Sequence, residues 1–252
     1  MDHIKKQYKD PVNLQTRISI HEKYSTNKQP FGDWIFSHYE IRPGYRILEL
    51  GCGTADMWKG KFPLAEGANL TLTDFSSGML EKAKNNTEMY TTVSYRLVDI
   101  QCIPYADHSF DMVIANMMLY HVPDLNKALS EVRRVLLPGG VFYCATYGEH
   151  GIMEYVNKTL ADLDIHGSIG KTFTLQNGAE ILENHFDDVK IYTREDGLEV
   201  TNIRDFVDYV LSMSGLTGIT HADPDRLYEV FQSNSTDGIL YIPKEYGMFI
   251  CK

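Results

Sequence analysis

The stretch YRILELGCGTA, residues 45–55, decides the fold of this chain. A short apolar run that leads directly into glycines predicts a buried strand followed by a tight turn. Gly51 and Gly53, one residue apart, let the backbone come close to a bound ligand because neither carries a side chain. A generic connection between a strand and a helix would show the same two glycines, so the turn alone leaves both interpretations open.

Strand and helix patterns alternate after this turn. The sequence predicts strands at residues 45–50, 69–74, 93–99, 110–116 and 141–147. It predicts helices at residues 54–62, 76–86 and 124–137. This alternation predicts parallel strands joined by right-handed crossovers, in a sheet that is buried on both faces. Ligands of such sheets bind at the carboxyl ends of the strands.

The second half of the chain has a less regular pattern. Further elements are predicted as helices at 173–186, 202–213 and 224–233 and as strands at 188–195 and 247–252. We therefore expect two domains: an N-terminal helical lid at residues 1–43, and a main domain at 44–252 with insertions at about 148–172 and 197–243. Residues 1–40 and the two insertions are expected to form a mobile cover over the carboxyl edge of the sheet.

Composition limits the classes of function. The chain has 252 residues, of which 43% are hydrophobic and 23% charged, as in ordinary soluble globular proteins. Its net charge of −10 argues against a broad nucleic-acid footprint. Because no signal-peptide core or membrane-spanning run is visible, we expect a cytoplasmic protein without a membrane partner. The four cysteines are widely spaced, and we expect no metal site.

Polar residues stand at the ends of three successive predicted strands. Asp74 closes the second strand, Asp99 with Ile100 closes the third, and Asn116 closes the fourth. A carboxylate at Asp74 can accept hydrogen bonds from both hydroxyls of a ribose, and Asp99 can accept from an adenine amino group. Asn116 could bond the amino-acid part of the same ligand. Parallel strand ends meet at one edge, so these groups are expected to converge.

Four segments of the sequence resemble the successive motifs of class I S-adenosylmethionine-dependent methyltransferases. They are ILELGCGTA (47–55), LTDFSSGMLEKA (72–83), VDIQCIPYADHSFDMVIANMMLYHVPD (98–124) and EVRRVLLPGG (131–140). The resemblance covers roughly residues 40 to 147 and is greatest to the small-molecule group that includes quinone-biosynthesis methyltransferases. It implies a doubly wound, mostly parallel seven-stranded α/β sheet of the Rossmann-like methyltransferase type. The segment GMFICK (247–252) would supply an antiparallel last strand.

The resemblance also implies a cofactor, S-adenosyl-L-methionine, with S-adenosyl-L-homocysteine as its product. The residues it implies at the cofactor are Tyr24 in the lid, Glu49, Gly51, Cys52 and Gly53 at the methionyl part, Asp74 at the ribose, Phe75 and Met79 beside the adenosine, Asp99 and Ile100 at the adenine, and Asn116 and Met117 at the sulfonium end. The family often has a third glycine where this chain has Ala55, a small change that we expect the site to tolerate.

A dinucleotide dehydrogenase is the competing interpretation of the glycine turn. In the G-x-G-x-x-G pattern the last glycine would stand at position 56, where this chain has Asp56. A carboxylate there would oppose a pyrophosphate at the start of the following helix. A sulfonium cofactor has no pyrophosphate, so the sequence favours S-adenosylmethionine.

Methyl transfer from a sulfonium is an in-line displacement that needs a base only if the acceptor must lose a proton. His121 is the nearest candidate base, although its position favours a helix-start residue that bonds the backbone. His21 is a candidate for the lid, and His150 and His166 are candidates for the acceptor side, although solvated surface positions are favoured for these two. We expect a small-molecule methyl acceptor and a monomer or homodimer. The alternatives are a tRNA or protein methyltransferase, or a non-catalytic S-adenosylmethionine-binding regulator. The identity of the acceptor does not follow from the sequence.

Overall fold

The described strands form one sheet. The computed structural model describes residues 11–61, 67–163, 165, 167, 170–213, 219 and 222–252, with the side chains of residues 11–15 left out. The strands are β1 Arg46–Leu50, β2 Asn69–Asp74, β3 Val93–Leu97, β4 Phe110–Ile114, β5 Leu136–Tyr147, β6 Val189–Val200 and β7 Leu240–Cys251. Their order in the sheet is β3-β2-β1-β4-β5-β7-β6, and the last strand is antiparallel. This order confirms the predicted fold class.

Helices connect and flank these strands. They are α1 Pro11–Tyr24, α2 Phe31–Phe36, α3 Ser77–Thr87, α4 Leu125–Val135, α5 Ile152–Thr159, α6 Gly178–Glu183, α7 Ile203–Ser212 and α8 Pro224–Ser233. Short 3₁₀ turns lie at Asp56–Trp58, Leu119–His121 and Ala161–Leu163. Capping side chains fix several helix starts; the hydroxyl of Ser76 accepts from the backbone N–H of Met79 at the start of α3.

The central strand β1 stabilises the sheet through pairing on both sides and burial on both faces. It pairs in parallel with β2 on one side and β4 on the other. Leu48 and Leu50 are buried in one apolar cluster, while Ile47 is buried in a second. Successive side chains of a strand point to opposite faces, so the apolar side chains of β1 are buried on both faces of the sheet.

The chain forms two compact units. The sheet unit contains residues 31–147, 172–192 and 247–252, and the helical unit contains the described residues of 1–30, 148–171 and 193–246. In the helical unit α1, α7 and α8 pack around an apolar cluster that includes Phe206, Val210 and Phe231. The segments expected to form a cover thus fall largely into one unit; their role as a cover stays a prediction.

The unit boundary differs from the predicted lid at residues 1–43. Residues 31–43 belong to the sheet unit, since Ile35 and Phe36 of α2 are buried in its core. The ring of Phe36 lies edge-on to the ring of Trp58, with 5.4 Å between ring centroids. The helix α2 is therefore part of the core of the sheet unit.

The predicted helix at 54–62 is wrong. Within the described part of that range only the 3₁₀ turn Asp56–Trp58 is helical. Ala55 before it and Gly60 after it have left-handed backbone angles, with φ of 58° and 70°. A residue in that conformation interrupts a right-handed helix at either end. Trp58 is instead directed into the core, where it is fully buried.

Other element boundaries shift for local reasons. Strand β5 begins at Leu136, directly after α4, and includes the Pro138-Gly139-Gly140 sequence. The predicted helix at 173–186 is shorter, because the side chain of Asn177 accepts from the backbone of Thr174 and closes a turn first. Strands β6 and β7 are longer than predicted, so 197–200 and 240–243 are strand rather than insertion. His166 lies outside the described residues.

Of the helices that the structure describes, none has the length and apolar character needed to cross a lipid bilayer.

Candidate functional site

The glycine turn is anchored to the end of the neighbouring strand. The backbone N–H of Cys52 donates to the carbonyl of Thr73 over 2.8 Å. The next N–H, of Gly53, donates to Oδ2 of Asp74 over 2.9 Å. The hydroxyl of Thr73 in turn donates to the carbonyl of Glu49 over 2.7 Å. These bonds hold the turn after β1 against the end of β2.

Asp74 connects the turn to two further segments. Its Oδ1 accepts from the backbone N–H of Ser76 over 2.7 Å, and its carbonyl accepts from Val98 beyond the end of β3 over 3.0 Å. Burial raises the pKa of the Asp74 carboxyl, although its backbone donors oppose the shift. The backbone N–H groups of Gly53, Phe75 and Ser76 occupy three of the roughly four lone-pair positions of this carboxylate, so the group can still accept from a ligand.

Phe75 and Met79 flank Asp74 in the sequence. Phe75 is exposed, whereas Met79, in the first turn of α3, is buried. An exposed aromatic ring next to a partly buried carboxylate suits a ligand that has a flat apolar part beside a polar part.

Asp99 is held by a residue that the sequence analysis did not select. Oδ1 of Asp99 accepts from the backbone N–H and from the side-chain amide of Gln101, over 2.9 Å and 3.1 Å. The amide oxygen of Gln101 accepts from the backbone of Asp124 at the start of α4. Ile100 is buried beside them. Gln101 thus positions Asp99 and links it to the segment after β4.

Asn116 binds neighbouring parts of the protein. Its Oδ1 accepts from the backbone N–H of Ala145 over 3.1 Å, which fixes the orientation of the amide. Its Nδ2 donates to the hydroxyl of Tyr39 over 2.6 Å and to the sulfur of Met57 over 3.5 Å. Asn116 therefore positions Tyr39, a residue to which the sequence assigned no role in the site.

Glu49 is a buried acid in the middle of the site. It is 4% exposed, and the indole N–H of Trp58 donates to its Oε2. Burial raises the pKa of Glu49 to about 7; the Trp58 hydrogen bond opposes this, while the charge of Asp74 adds to it. Glu49, Asp74 and Asp99 give the strand ends a negative potential, which suits a cationic ligand.

Gly51 satisfies two constraints at once. Its φ is +71°, and a Cβ built on it would lie 2.9 Å from Cγ of Met118, in the segment after β4. Gly53 also has a positive φ, +56°, but its Cβ position has no atom within 4 Å among the described residues. Met117, adjacent to Met118, has φ of +54°, an uncommon conformation that often marks functional segments.

The remaining predicted site residues lie in different surroundings. Burial lowers the pKa of His121, so its ring is neutral near pH 7. Burial raises the pKa of the Cys52 thiol, so it stays protonated and fits the role of a small spacer. Tyr24 belongs to the helical unit, where its hydroxyl donates to Asp205 over 2.7 Å. A cofactor contact for Tyr24 stays a prediction.

The two glycines of the turn offer a matched test. Alanine at either position must adopt a left-handed conformation, at a cost of about 1–2 kcal/mol. Gly51→Ala also forces its Cβ against Met118, and such overpacking costs about 1–3 kcal/mol more. We therefore expect Gly51→Ala to lower the free energy of unfolding in urea more than Gly53→Ala. Equal losses would contradict the close approach of Met118.

The raised pKa of Glu49 predicts how stability depends on pH. The folded pKa of about 7 lies above the unfolded value of 4.5, so between these values the folded state binds more protons. The Glu49 contribution to the free energy of unfolding should fall by up to about 3 kcal/mol from pH 4.5 to pH 7 and stay level above it. Urea unfolding of wild type and Glu49→Gln at several pH values measures the difference. Parallel pH curves would show that Glu49 ionises normally.

Comparisons with known proteins show which families the sequence resembles. Residues 48–144 match a protein family described as methyltransferase domain. The chain is 37% identical over 112 residues to the demethylmenaquinone methyltransferase of Staphylococcus haemolyticus, which covers 44% of this chain and 46% of that protein. It is 32% identical over 123 residues to the malonyl-[acyl-carrier protein] O-methyltransferase of Erwinia billingiae, covering 49% and 47%. The chain spans about half the length of these curated relatives.

A solved structure shows the same fold over more of the chain. Phosphoethanolamine N-methyltransferase 2 of Haemonchus contortus, in complex with S-adenosyl-L-methionine, superposes with a TM-score of 0.58 at 18% identity, covering 94% of this chain and 56% of that one. The glycine turn, Asp74 and Asp99 all lie within the segment that matches the family. Residues 48–144 are therefore similar in sequence to a methyltransferase domain, and the chain shares its fold with this solved structure.

Proposed function

We propose that this protein transfers a methyl group from S-adenosyl-L-methionine to a small-molecule acceptor. The observation that carries this proposal is the hydrogen bond between Gly53 and Asp74. It joins the glycine turn to a carboxylate that can still accept a hydrogen bond from a ligand. The open space beside Gly53 leaves room for a ligand against the backbone. The family match supplies independent support.

The residues of the site fit the parts of this cofactor. Asp74 would accept hydrogen bonds from the two ribose hydroxyls, and Phe75 would cover the adenosine. Asp99 and Ile100 would hold the adenine, with Gln101 fixing the carboxylate. Glu49, near the methionyl end, would face a cationic ammonium and sulfonium, because a buried carboxylate is stabilised in its ionised form by a nearby positive charge.

S-adenosyl-L-methionine would supply a methyl group that is already activated as a sulfonium. The protein would then contribute mainly positioning and exclusion of water. Met117 and Asn116 follow β4, where the sulfonium end is expected. The partly buried, hydrogen-bonded pair Asn116–Tyr39 would keep this end of the site rigid.

The acceptor is proposed only as a class. The two named relatives act, by their names, on a quinone precursor and on a malonyl group carried by a protein, so they do not share one acceptor. A net charge of −10 disfavours the tRNA alternative, because phosphate binding requires clustered cations. We propose His121 as the base for acceptors that must lose a proton, since burial keeps its ring neutral.

Turnover tests the function directly. The purified chain should produce S-adenosylhomocysteine from S-adenosylmethionine when a fractionated small-molecule extract is added, and mass spectrometry should find one compound heavier by a methyl group. Methylation of RNA or protein fractions instead would support the alternative acceptors. Tight cofactor binding with no product from any fraction would favour a non-catalytic binding protein.

Asp74 provides a test of the cofactor geometry. Asp74→Asn keeps the size of the side chain but removes the charge and half of the acceptor capacity. Hydrogen bonds to a charged group contribute roughly 1.5–3 kcal/mol, so affinity for S-adenosylhomocysteine should fall about tenfold or more in calorimetry. Asp111→Asn, an acid whose carboxylate contacts Arg46, serves as the matched control. Unchanged affinity in folded Asp74→Asn would place the ribose elsewhere.

His121 is tested through the pH dependence of turnover. A base must be neutral to act, so kcat should rise with pH up to the lowered pKa of His121, below 6.5, and stay constant above it. His121→Gln should lose this acid limb and reduce kcat by about a hundredfold or more, with unchanged affinity for S-adenosylhomocysteine. An unaltered pH profile in the variant would exclude His121 as the base.

A further inference from the structure

The helical unit contains its own group of buried charged side chains. Arg194 and Asp196 come from β6 and Lys244 from β7, and their side chains are only 2%, 0% and 4% exposed. Both cations contact the same oxygen, Oδ2 of Asp196. Two buried positive charges thus share one carboxylate.

The carboxylate of Asp196 has few acceptor positions left for further hydrogen bonds. Its other oxygen, Oδ1, accepts from the backbone N–H groups of Asn27 and Gly197, over 3.1 Å and 2.9 Å, and from the hydroxyl of Thr26 over 3.3 Å. A carboxylate offers about four lone-pair positions, and five donors already compete for them. Burying an excess of cations is costly unless an anion accompanies them.

His21 on α1 borders the same group. Its ring lies edge-on to Tyr209 and Tyr246, with centroid distances of 5.8 Å and 6.2 Å. Its Nδ1 is buried without a hydrogen-bond partner in the part of the chain that the structure describes. Burial, together with the nearby charge of Lys244, lowers the pKa of His21 to about 3. A neutral imidazole has one ring N–H, which can donate to an anion.

Lys244 and Arg17 extend the positive potential around His21. The ammonium of Lys244 donates to the hydroxyl of Ser25 over 2.8 Å and lies 5.4 Å from the ring centroid of Tyr246. Arg17 precedes His21 by one helical turn, so both lie on the same face of α1. The charge of Arg17 acts to lower the pKa of Tyr209, which opposes the stronger effect of burial. The charges of Lys244, Arg194 and Asp196 therefore act on the His21 imidazole, and the charge of Arg17 acts on the neighbouring Tyr209.

We propose that His21, Lys244, Arg194 and Arg17 form a binding site for a small anion, either a carboxylate or a phosphate group. The anion would bind at the His21 ring and the Lys244 ammonium, next to the carboxylate that Lys244 shares with Arg194. Arg194 and Arg17 would contribute through their charge. This site does not rest on the proposed methyl transfer, because every residue in it belongs to the helical unit.

The test is a titration of the full chain with inorganic phosphate in chloride-free buffer, followed by NMR of the histidine side chains. The resonances of His21, assigned with His21→Phe, should shift and saturate as phosphate is added. Lys244→Gln should weaken phosphate binding by about tenfold or more, since it removes a charged donor from the site. Lys23→Gln is the matched control: it changes the net charge equally, but Lys23 is exposed and pairs with Asp205.

Two further measurements keep the result interpretable. Lys244→Arg retains the charge and should retain phosphate binding. Thermal unfolding of each variant shows whether a loss of binding is caused by misfolding. Absence of any saturable shift of His21, or equal weakening in Lys244→Gln and Lys23→Gln, would overturn the site and leave a purely structural ion group.

The source of the anion can be distinguished in the same experiment. Acetate in place of phosphate separates a carboxylate from a phosphate preference. If S-adenosylhomocysteine strengthens anion binding, the two sites are coupled, as expected for an anion that is a group of the methyl acceptor. If it has no effect, the ligand is a free anion. Cofactor binding is measured separately by calorimetry, so failure of the methyl-transfer proposal would not be mistaken for failure of the anion site.

Discussion

The hydrogen bond from the Gly53 backbone to the Asp74 carboxylate is the interaction on which the candidate site depends. It joins a loop that has no regular hydrogen-bonding pattern of its own to the end of a paired strand. The same carboxylate accepts from the backbone N–H of Ser76, just before α3. The backbone carbonyl of Asp74 accepts from the N–H of Val98, just after β3. One residue, Asp74, therefore links the first three strand ends through its side chain and its backbone. Glycine is needed in the turn because both Gly51 and Gly53 are left-handed.

Electrostatics follows from this arrangement. The turn brings Glu49 and Asp74 close enough for their charges to interact, and burial raises the pKa of both. Ionising two buried acids costs free energy. A cation bound close to both carboxylates lowers that cost. A sulfonium with an ammonium group has the charge that such a site selects, whereas a pyrophosphate would be repelled. Asp56, which bonds Thr54 and Lys59, adds to the negative potential at the turn.

The sequence predicted the sheet and the convergence of Asp74, Asp99 and Asn116 toward one edge, because strand periodicity and strand-end residues are local features. It failed where contacts between distant residues decide. The helix expected at 54–62 is absent over its described part because Trp58 turns into the core toward Glu49. Asn116 is held by Ala145 and Tyr39, which lie far from it in the sequence. Gln101 carried no pattern that marked it as the partner of Asp99, and the buried ion group around Asp196 joins α1, β6 and β7.

The acidic site at the strand ends is proposed to bind a sulfonium nucleoside. Isothermal titration calorimetry of the full chain with S-adenosylmethionine, S-adenosylhomocysteine and NAD, under one set of conditions, measures this binding. We expect saturable one-to-one binding of the first two and no comparable binding of NAD, whose pyrophosphate would meet Asp56. Tight binding of NAD, with no heat from either sulfur compound, would contradict it.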